Sequence, residues 1–356
     1  FDQDGTDQYY IANIYYNQFI RLFDLATNSS VTLNESDQTI GSFINPQGLD
    51  SNLDILYSNY TSGADAAIRR YSGIKSSSTL EKTILTDDAL VSRATAFDIS
   101  PYTTTSSTIL VGTVLGDILK VENADTTPTW TNIETANVIV GSISDVVFGA
   151  SEDEIFATIH NYGVQSIWSS NNGGTSWMSK EGDFPDIPVK DILMNPLNND
   201  QVIIATQLGV WATYNFKDDA PTWMQTNNGM SSVKVTSLDL RIADNTILAS
   251  TFGRGMFTGK FTAATASIDD VLVNNNAVTI YPTVSNGNFT IVAKTKLGVT
   301  KATIFDINGK QVYKRTLDFT TTDKQQVSVN LNTGVYMVNV MDENNRKTSS
   351  KIIIEQ

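Results

Sequence analysis

Short runs of β-branched and aromatic residues, separated by polar stretches rich in Gly, Asn, Asp and Ser, recur along most of the chain. Six of them, Tyr9 to Asn13, Asp54 to Asn59, Thr108 to Thr113, Glu154 to Thr158, Gln201 to Thr206 and Thr246 to Thr251, start roughly 46 residues apart, once about 54. Sustained 3.6-residue periodicity is nearly absent, so the pattern predicts strands rather than helices. Two further markers keep the same beat. Gly116, Gly163, Gly209 and Gly255 lie 47, 46 and 46 residues apart, each just after one of these runs, where a hairpin turn favours positive φ. A Thr or Ser followed by Trp falls at Thr129-Trp130, Ser176-Trp177 and Thr222-Trp223, spaced 47 and 46. Such a repeat, with three or four strands per unit, reads as the blades of a β-propeller, whose radial packing buries both faces of each sheet. The expected fold is all-β, with about six visible blades belonging to a seven-bladed or tandem propeller, because the first run begins almost inside a blade's second strand.

The last quarter of the chain has a different character. Of 24 Lys+Arg and 38 Asp+Glu, residues 263–356 hold 10 and 8, leaving 14 basic and 30 acidic groups before them. The repeat region is therefore near -16 and the tail near +2, across a small, polar stretch from Thr262 to Ser267 that reads as a linker. The expected organisation is a propeller over 1–261, incomplete at its N-terminus, a linker over 262–277 and a separate domain over 278–356. The start at Phe1, with no initiator Met, basic region or apolar leader, reads as a mature or truncated fragment. The net charge of -14 opposes nucleic-acid binding. With no Cys there is neither a disulfide framework nor a thiol nucleophile. No apolar run reaches the roughly 18 residues that span a bilayer as a helix.

Within the fourth repeat, Ser170-Asn171-Asn172-Gly173-Gly174-Thr175-Ser176-Trp177 resembles the Asp-box of sialidase-like, BNR and sortilin-like propellers, with Asn172 in place of the acid and Ser176 in place of a Thr. Ser170, Asn172, Gly174, Ser176 and Trp177 carry the likeness. It implies a tight hairpin between a blade's outer strands, with Trp177 filling the space between blades, and it is a mark of fold rather than of catalysis.

The tail combines Tyr281-Pro282-Thr283-Val284 and Asn286-Gly287 with Ile304-Phe305-Asp306-Ile307-Asn308-Gly309-Lys310, Leu331-Asn332-Thr333-Gly334-Val335-Tyr336 and a terminal Lys351-Ile352-Ile353-Ile354. In this order they resemble the type A sorting domain of type IX secretion, used by bacteria of the Bacteroidetes group, on the residues Gly287, Asp306, Gly309, Lys310, Gly334, Tyr336 and Lys351. Read from the residues alone, the segment is a small β-sandwich with turns at Asn286-Gly287 and Asn308-Gly309. The resemblance implies a signal peptide outside the present chain, recognition of the folded tail by the secretion machinery, and a secreted or outer-membrane-surface destination. It also implies removal of the tail, for which Ala263 to Ser267 is the expected cleavage point.

Candidate chemistry is thin. The single histidine, His160, limits the chain to at most one histidine-based triad or metal site; it reads either as a loop polar residue or as a general base or ligand contact. None of the eight arginines lies in the arginine context of sialidases, so that activity is not expected. Asp145 and Asp191 occupy equivalent positions on innermost strands, where neighbouring repeats are expected to carry Thr95 and Ser237; they read as structural acceptors, or as the carboxylate pair of a xyloglucanase-like hydrolase. Asp2, Asp4 and Asp7 read as a surface turn, or as hard-cation ligands. Loops joining second to third strands carry Tyr15, Tyr16, Tyr60, His160, Tyr162 and Phe252, with Arg254 nearby. They read either as plugs between blades or as a concave face that stacks on a glycan or captures an extracellular protein. No residue is assigned to catalysis, and no motif implies a metal or cofactor. The sequence therefore favours an exported binding or scaffold propeller, and as an alternative the C-terminal part of an extracellular polysaccharide-active glycoside hydrolase.

Overall fold

The structure, a computed structural model, describes residues 1–263 and 278–355 except 227, 228, 231, 295–296, 308–309 and 343–346. No helix occurs among the described residues. The chain divides into two compact units, Phe1–Ala264 and Thr265–Gln356.

The first unit is built from antiparallel sheets taken up one after another along the chain. The first sheet has three strands, β1 (Tyr9–Ala12), β2 (Ile20–Asp24) and β3 (Ser29–Asn34). The second is β4 (Gln47–Asp50), β5 (Ile55–Asn59), β6 (Ile68–Ser72) and β7 (Glu81–Leu85), and the third β8 (Ala94–Ile99), β9 (Ile109–Thr113), β10 (Ile118–Glu122) and β11 (Thr129–Asn132). The fourth is β12 (Ile143–Phe148), β13 (Ile155–Ile159), β14 (Ile167–Ser170) and β15 (Met178–Ser179), and the fifth β16 (Val189–Met194), β17 (Val202–Thr206), β18 (Gly209–Thr213) and β19 (Met224–Thr226). The sixth has β20 (Val235–Arg241), β21 (Thr246–Thr251) and β22 (Met256–Lys260). The inner strands β8, β12, β16 and β20 lie side by side in that order. This unit is a β-propeller.

The second strand of each repeat explains why the recurrent runs are apolar throughout instead of alternating. All five residues of β5, β9, β13 and β17 are buried, because each sheet is covered on both faces. In β9, Ile109 and Val111 pack with Tyr57 and Ile68 of the second sheet, while Leu110 packs with Val146 and Ala157 of the fourth. In β17, Val202 and Ile204 face Phe156 of the fourth sheet, and Ile203 and Ala205 face Leu238 and Ala249 of the sixth. The period-2 strand geometry thus turns one short apolar run into half of two inter-blade cores. A Cβ on Gly112 would fall 2.3 Å from Ile143, so the close approach of β9 to the next sheet requires glycine there.

Four inner strands share one irregularity. The ladder to the second strand skips a residue between Ala94 and Ala96, Ile143 and Asp145, Val189 and Asp191, and Val235 and Ser237. The extra residues are Thr95, Ser144, Lys190 and Thr236. This corrects one equivalence expected from sequence: Ala96, not Thr95, is the counterpart of Asp145, Asp191 and Ser237, because a β-bulge adds a residue that composition does not mark.

The second unit holds β23 (Val278–Tyr281), β24 (Val284–Ser285), β25 (Asn288–Ala293), β26 (Val299–Phe305), β27 (Gln311–Asp318), β28 (Lys324–Ser328), β29 (Gly334–Met341) and β30 (Lys347–Ile354). They form two sheets, β23-β25-β28 and β24-β30-β29-β26-β27, with β24 parallel to β30. Phe289, Ile291 and Val327 of one sheet meet Ile304, Val338 and Ile352 of the other, giving a small β-sandwich.

Candidate functional site

The connections between second and third strands, and in the three-stranded first sheet that between its first two, hold all the aromatic candidates. They contain Tyr15 and Tyr16 between β1 and β2, Tyr60 between β5 and β6, His160 and Tyr162 between β13 and β14, and Phe252 and Arg254 between β21 and β22. Gly116, Gly163, Gly209 and Gly255 sit in or at the end of these connections with φ between 73° and 102°, which turns the chain back tightly.

These residues fall into separate groups. Tyr15 and Tyr16 pack edge to face, ring centroids 5.7 Å apart, and both meet Phe43 at 5.9 Å. Tyr60 lies under the Arg69 guanidinium, 3.5 Å from its ring centroid, and its hydroxyl donates to Asp37, which also pairs with Arg69 at 3.0 Å. His160 makes a third group: its Nε2 is 3.2 Å from Gln207 Nε2, and its backbone N–H donates to Ser142 O. Tyr162, two residues on, is 67% exposed, and Phe252 is 74% exposed with the Lys234 ammonium 5.8 Å from its ring centroid. Arg254 is exposed in the same turn as Phe252.

Around His160 the field is positive. Burial first, then the Lys190 and Lys234 ammonium groups, push its pKa down from 6.5 to about 4, so the ring is neutral at physiological pH. Lys190 is lowered as well, by burial and by Lys234. Neither lysine was singled out in the sequence, nor were Gln207, Phe43, Arg69 or Asp37. A signal for Lys190 did exist. At the bulge position, Thr95 donates to Gly112 O, Ser144 to Val189 O and Thr236 to Ser250 O, and Lys190 alone replaces the hydroxyl.

Asp145 and Asp191 line the inner strands. Asp145 Oδ2 accepts from Ile192 N at 3.2 Å, and Asp191 Oδ2 accepts from Leu238 N at 2.9 Å. One rung further along β8, Asp98 Oδ2 accepts from Phe148 N at 2.8 Å. Each inner strand is the edge of its sheet, and a carboxylate of the preceding sheet satisfies one of its free N–H groups. Burial raises all three acids, Asp98 to about 7, and the neighbouring charge of Asp145 helps push Asp191 well up. Asp4 is occupied by the Thr6 amide and hydroxyl, and Asp7 by an ion pair with Lys75, so these carboxylates are committed to their own surroundings.

The turn at 170–177 connects β14 to β15. Ser170 Oγ accepts from Gly174 N at 2.9 Å and donates to Asn172 Oδ1, which accepts from Ser176 N at 2.9 Å. Gly173 and Gly174 have φ of 65° and 88°. Trp177 Nε1 donates to Ile133 O and Trp223 Nε1 to Lys180 O, each at 3.0 Å, so both indoles tie one repeat to the loop of the previous one. In the tail, Gly287 O accepts from Val329 N, Asp306 Oδ1 accepts from Lys310 N at 3.0 Å, and the Tyr336 hydroxyl donates to Asn332 O beside Gly334. Lys351 is exposed on β30. Gly309, with the Asn308-Gly309 turn, and residues 264–277 of the expected linker lie outside the described residues.

Residues 279–355 match the family described as the secretion system C-terminal sorting domain. The chain is exported by type IX secretion. Its destination is accordingly the cell surface or the exterior, and the sorting domain implies contact with the secretion machinery. No curated protein matches the chain. Among solved structures, the GH74 enzyme of Niastella koreensis aligns over 98% of this chain and 57% of its own, with a TM-score of 0.52 and 15% identity, which supports the propeller fold. PorZ, an essential surface component of the type IX secretion system of Porphyromonas gingivalis, aligns over 96% of this chain and 42% of its own, with 14% identity and a TM-score of 0.33. The β-propeller domain of Cps50 (Swd1) from Myceliophteria thermophila aligns over 85% and 95%, with 10% identity and a TM-score of 0.46. The exported chain thus spans about half the length of the first two.

Proposed function

We propose that this exported chain is a binding or scaffold module, with a propeller over 1–261 that presents its second-to-third-strand loops to a glycan or an extracellular protein. The observation that carries this reading is the loop face itself. Tyr162, two residues from His160, and Phe252, with the Lys234 ammonium 5.8 Å from its ring, are both exposed, and Lys190 and Lys234 act on His160, a combination of flat apolar and polar surface that suits recognition. The turn at 170–177 acts in this reading as an Asp-box with Asn172 in the acid's place, a structural element. The tail over 278–356 delivers the module and is then removed by cleavage within Ala263 to Ser267 of the linker.

A hydrolase reading has less support. Two glycosidase carboxylates stand about 5 Å or more apart to admit the sugar and water. Asp145 and Asp191 are instead each engaged by a backbone amide of the next inner strand, which is a structural use, so a hydrolase would need acids from elsewhere.

The test is a glycan array and a pull-down of surface proteins with the full chain beside Tyr60→Ala and Tyr162→Ala variants. Loss of binding in Tyr162→Ala supports the reading; full retention in both variants overturns it. Mass spectrometry of cell-surface material tests the processing: an intact tail still joined to the propeller would overturn cleavage within Ala263 to Ser267.

A further inference from the structure

The propeller region carries an excess of 16 negative charges, yet its one histidine is surrounded by cations. Lys190 and Lys234 are both half-buried and both act on His160, and Lys234 acts on Lys190. Among the described residues neither lysine has an ion-pair partner. Burial and Lys234 are the causes that lower Lys190, and no carboxylate offsets them. Two like charges gathered without a counter-ion are unfavourable in the free protein, and local departures from a repeat's own rule concentrate at functional positions. Lys190 is such a departure, since the equivalent Thr95, Ser144 and Thr236 each donate a hydroxyl to a backbone carbonyl of a neighbouring strand.

We propose that the loops around His160 form a binding site for an acidic saccharide, whose carboxylate or sulfate group sits between Lys190 and Lys234 with a sugar ring against Phe252. This rests on the reading of the loop face as a binding surface and names the class of ligand. The anion supplies the missing counter-charge, and ammonium-to-oxyanion hydrogen bonds are stronger than neutral ones. Gln207, already within reach of His160, offers an amide for sugar hydroxyls. Phe252, held by its N–H to Lys234 O at 2.9 Å, presents an exposed ring next to the charge, as stacking on a pyranose requires. A peptide could satisfy the charge, but an open, flat aromatic face beside it favours a sugar.

The experiment is a titration of the full chain with oligogalacturonate, a sulfated oligosaccharide, a neutral dextran oligosaccharide and polyglutamate, followed by calorimetry and by the imidazole resonance of His160, the only histidine signal. One or both acidic sugars bind and dextran does not, with affinity falling as salt rises. Lys190→Gln with Lys234→Gln weakens binding at least roughly tenfold, Lys190→Arg largely preserves it, and exposed Lys217→Gln leaves it unchanged. The His160 pKa rises by about one unit on binding, as an anion offsets the two ammonium groups. Because the double variant relieves like-charge repulsion, its unfolding midpoint stays level or rises, which separates lost binding from lost folding. Dextran bound as tightly as the acids, without dependence on either lysine, would overturn the acidic assignment and leave the binding face standing. Polyglutamate bound more tightly through the same lysines would overturn the saccharide class. No binding by any of the four overturns the site, while loss of array binding in Tyr162→Ala would still uphold the broader reading.

Discussion

The first two sheets and the last four are joined by different chemistry. Between the first and second, Asn17 Nδ2 donates to Asn59 O at 2.8 Å, Ser58 Oγ donates to Asn17 Oδ1 at 2.7 Å, and Asn45 Nδ2 donates to Ser58 Oγ at 2.9 Å. Asn17, Ser58 and Asn59 are fully buried. From the third sheet to the sixth the same work falls to Asp98, Asp145 and Asp191, each accepting an amide of the next inner strand. Amides and hydroxyls carry no proton equilibrium near neutral pH, whereas buried carboxyls do. The buried inner joint at one end of the propeller is therefore made in a way that pH does not reach, and at the other in a way that it does. All five tryptophans lie between Trp130 and Trp223, so their fluorescence reports on the titratable end.

The largest expected effect comes from breaking the neutral joint. Asn17→Ala removes donors to Ile40 O and Asn59 O and the acceptor of Ser58, leaving buried groups unsatisfied, at about 3 kcal/mol in urea unfolding. That loss should be the same at pH 5 and pH 8; a loss that changes between them would erase the contrast.

Asp98 tests the other joint. Burial raises its pKa from 3.8 to about 7 in the folded protein, so the folded state holds the proton more tightly than the unfolded chain. Its contribution is full below about pH 4 and is lost as pH rises through 7. His160 has the opposite sign: its value is lowered from 6.5 to about 4, so its contribution is present above 6.5 and is lost as pH falls through 4. Asp98→Asn isolates the first slope. Compared with the wild type, the variant should be missing a decline of about 2 kcal/mol between pH 4 and 7.5, allowing for the solvent that reaches the inner strand. A wild-type profile identical to the variant's would show that Asp98 titrates normally.

The repeat was legible because its causes are local. An apolar second strand, a glycine at positive φ and an indole reaching the previous blade each leave a residue at a fixed spacing, and the tail is carried by a run of motifs. The bulges were not legible, since one inserted residue changes pairing without changing composition, and this displaced Thr95 from its counterparts Ser144, Lys190 and Thr236. Nor were the joints: Asn17, Asn45 and Asn59 are 42 residues apart at most, and read in sequence they are ordinary loop asparagines. The spacing assigns the loop aromatics to connections between strands, but whether Tyr60 meets Arg69 or Phe252 meets Lys234 is decided by tertiary packing, which periodicity does not encode.

Asp191 gives a finer test, since it separates the hydrogen bond from the charge. Its carboxyl is pushed well up by burial and by Asp145, which favours the protonated form, and Asp191→Asn keeps a neutral acceptor for Leu238 N at little cost. Asp191→Ala leaves that inner-strand amide without a partner and should cost about 1 to 2 kcal/mol. Equal losses in the two variants would mean that Asp191 acts as an anion.

The smallest effect sought is at the outer rim, where the joints differ neither in charge nor in pH response. Trp177→Phe keeps an aromatic ring in the space between the third and fourth repeats and removes only the Nε1–H bond to Ile133 O. A single neutral hydrogen bond to a backbone carbonyl contributes about 1 kcal/mol, and the carbonyl's remaining access to solvent sets the lower end of that range. The same change at Trp223, whose indole is buried at 5% exposure and donates to Lys180 O, should cost more, because there the orphaned carbonyl has less water to turn to. If the two variants lose equal stability in urea, burial is not what grades the rim; if neither loses any, the indoles act through ring packing alone.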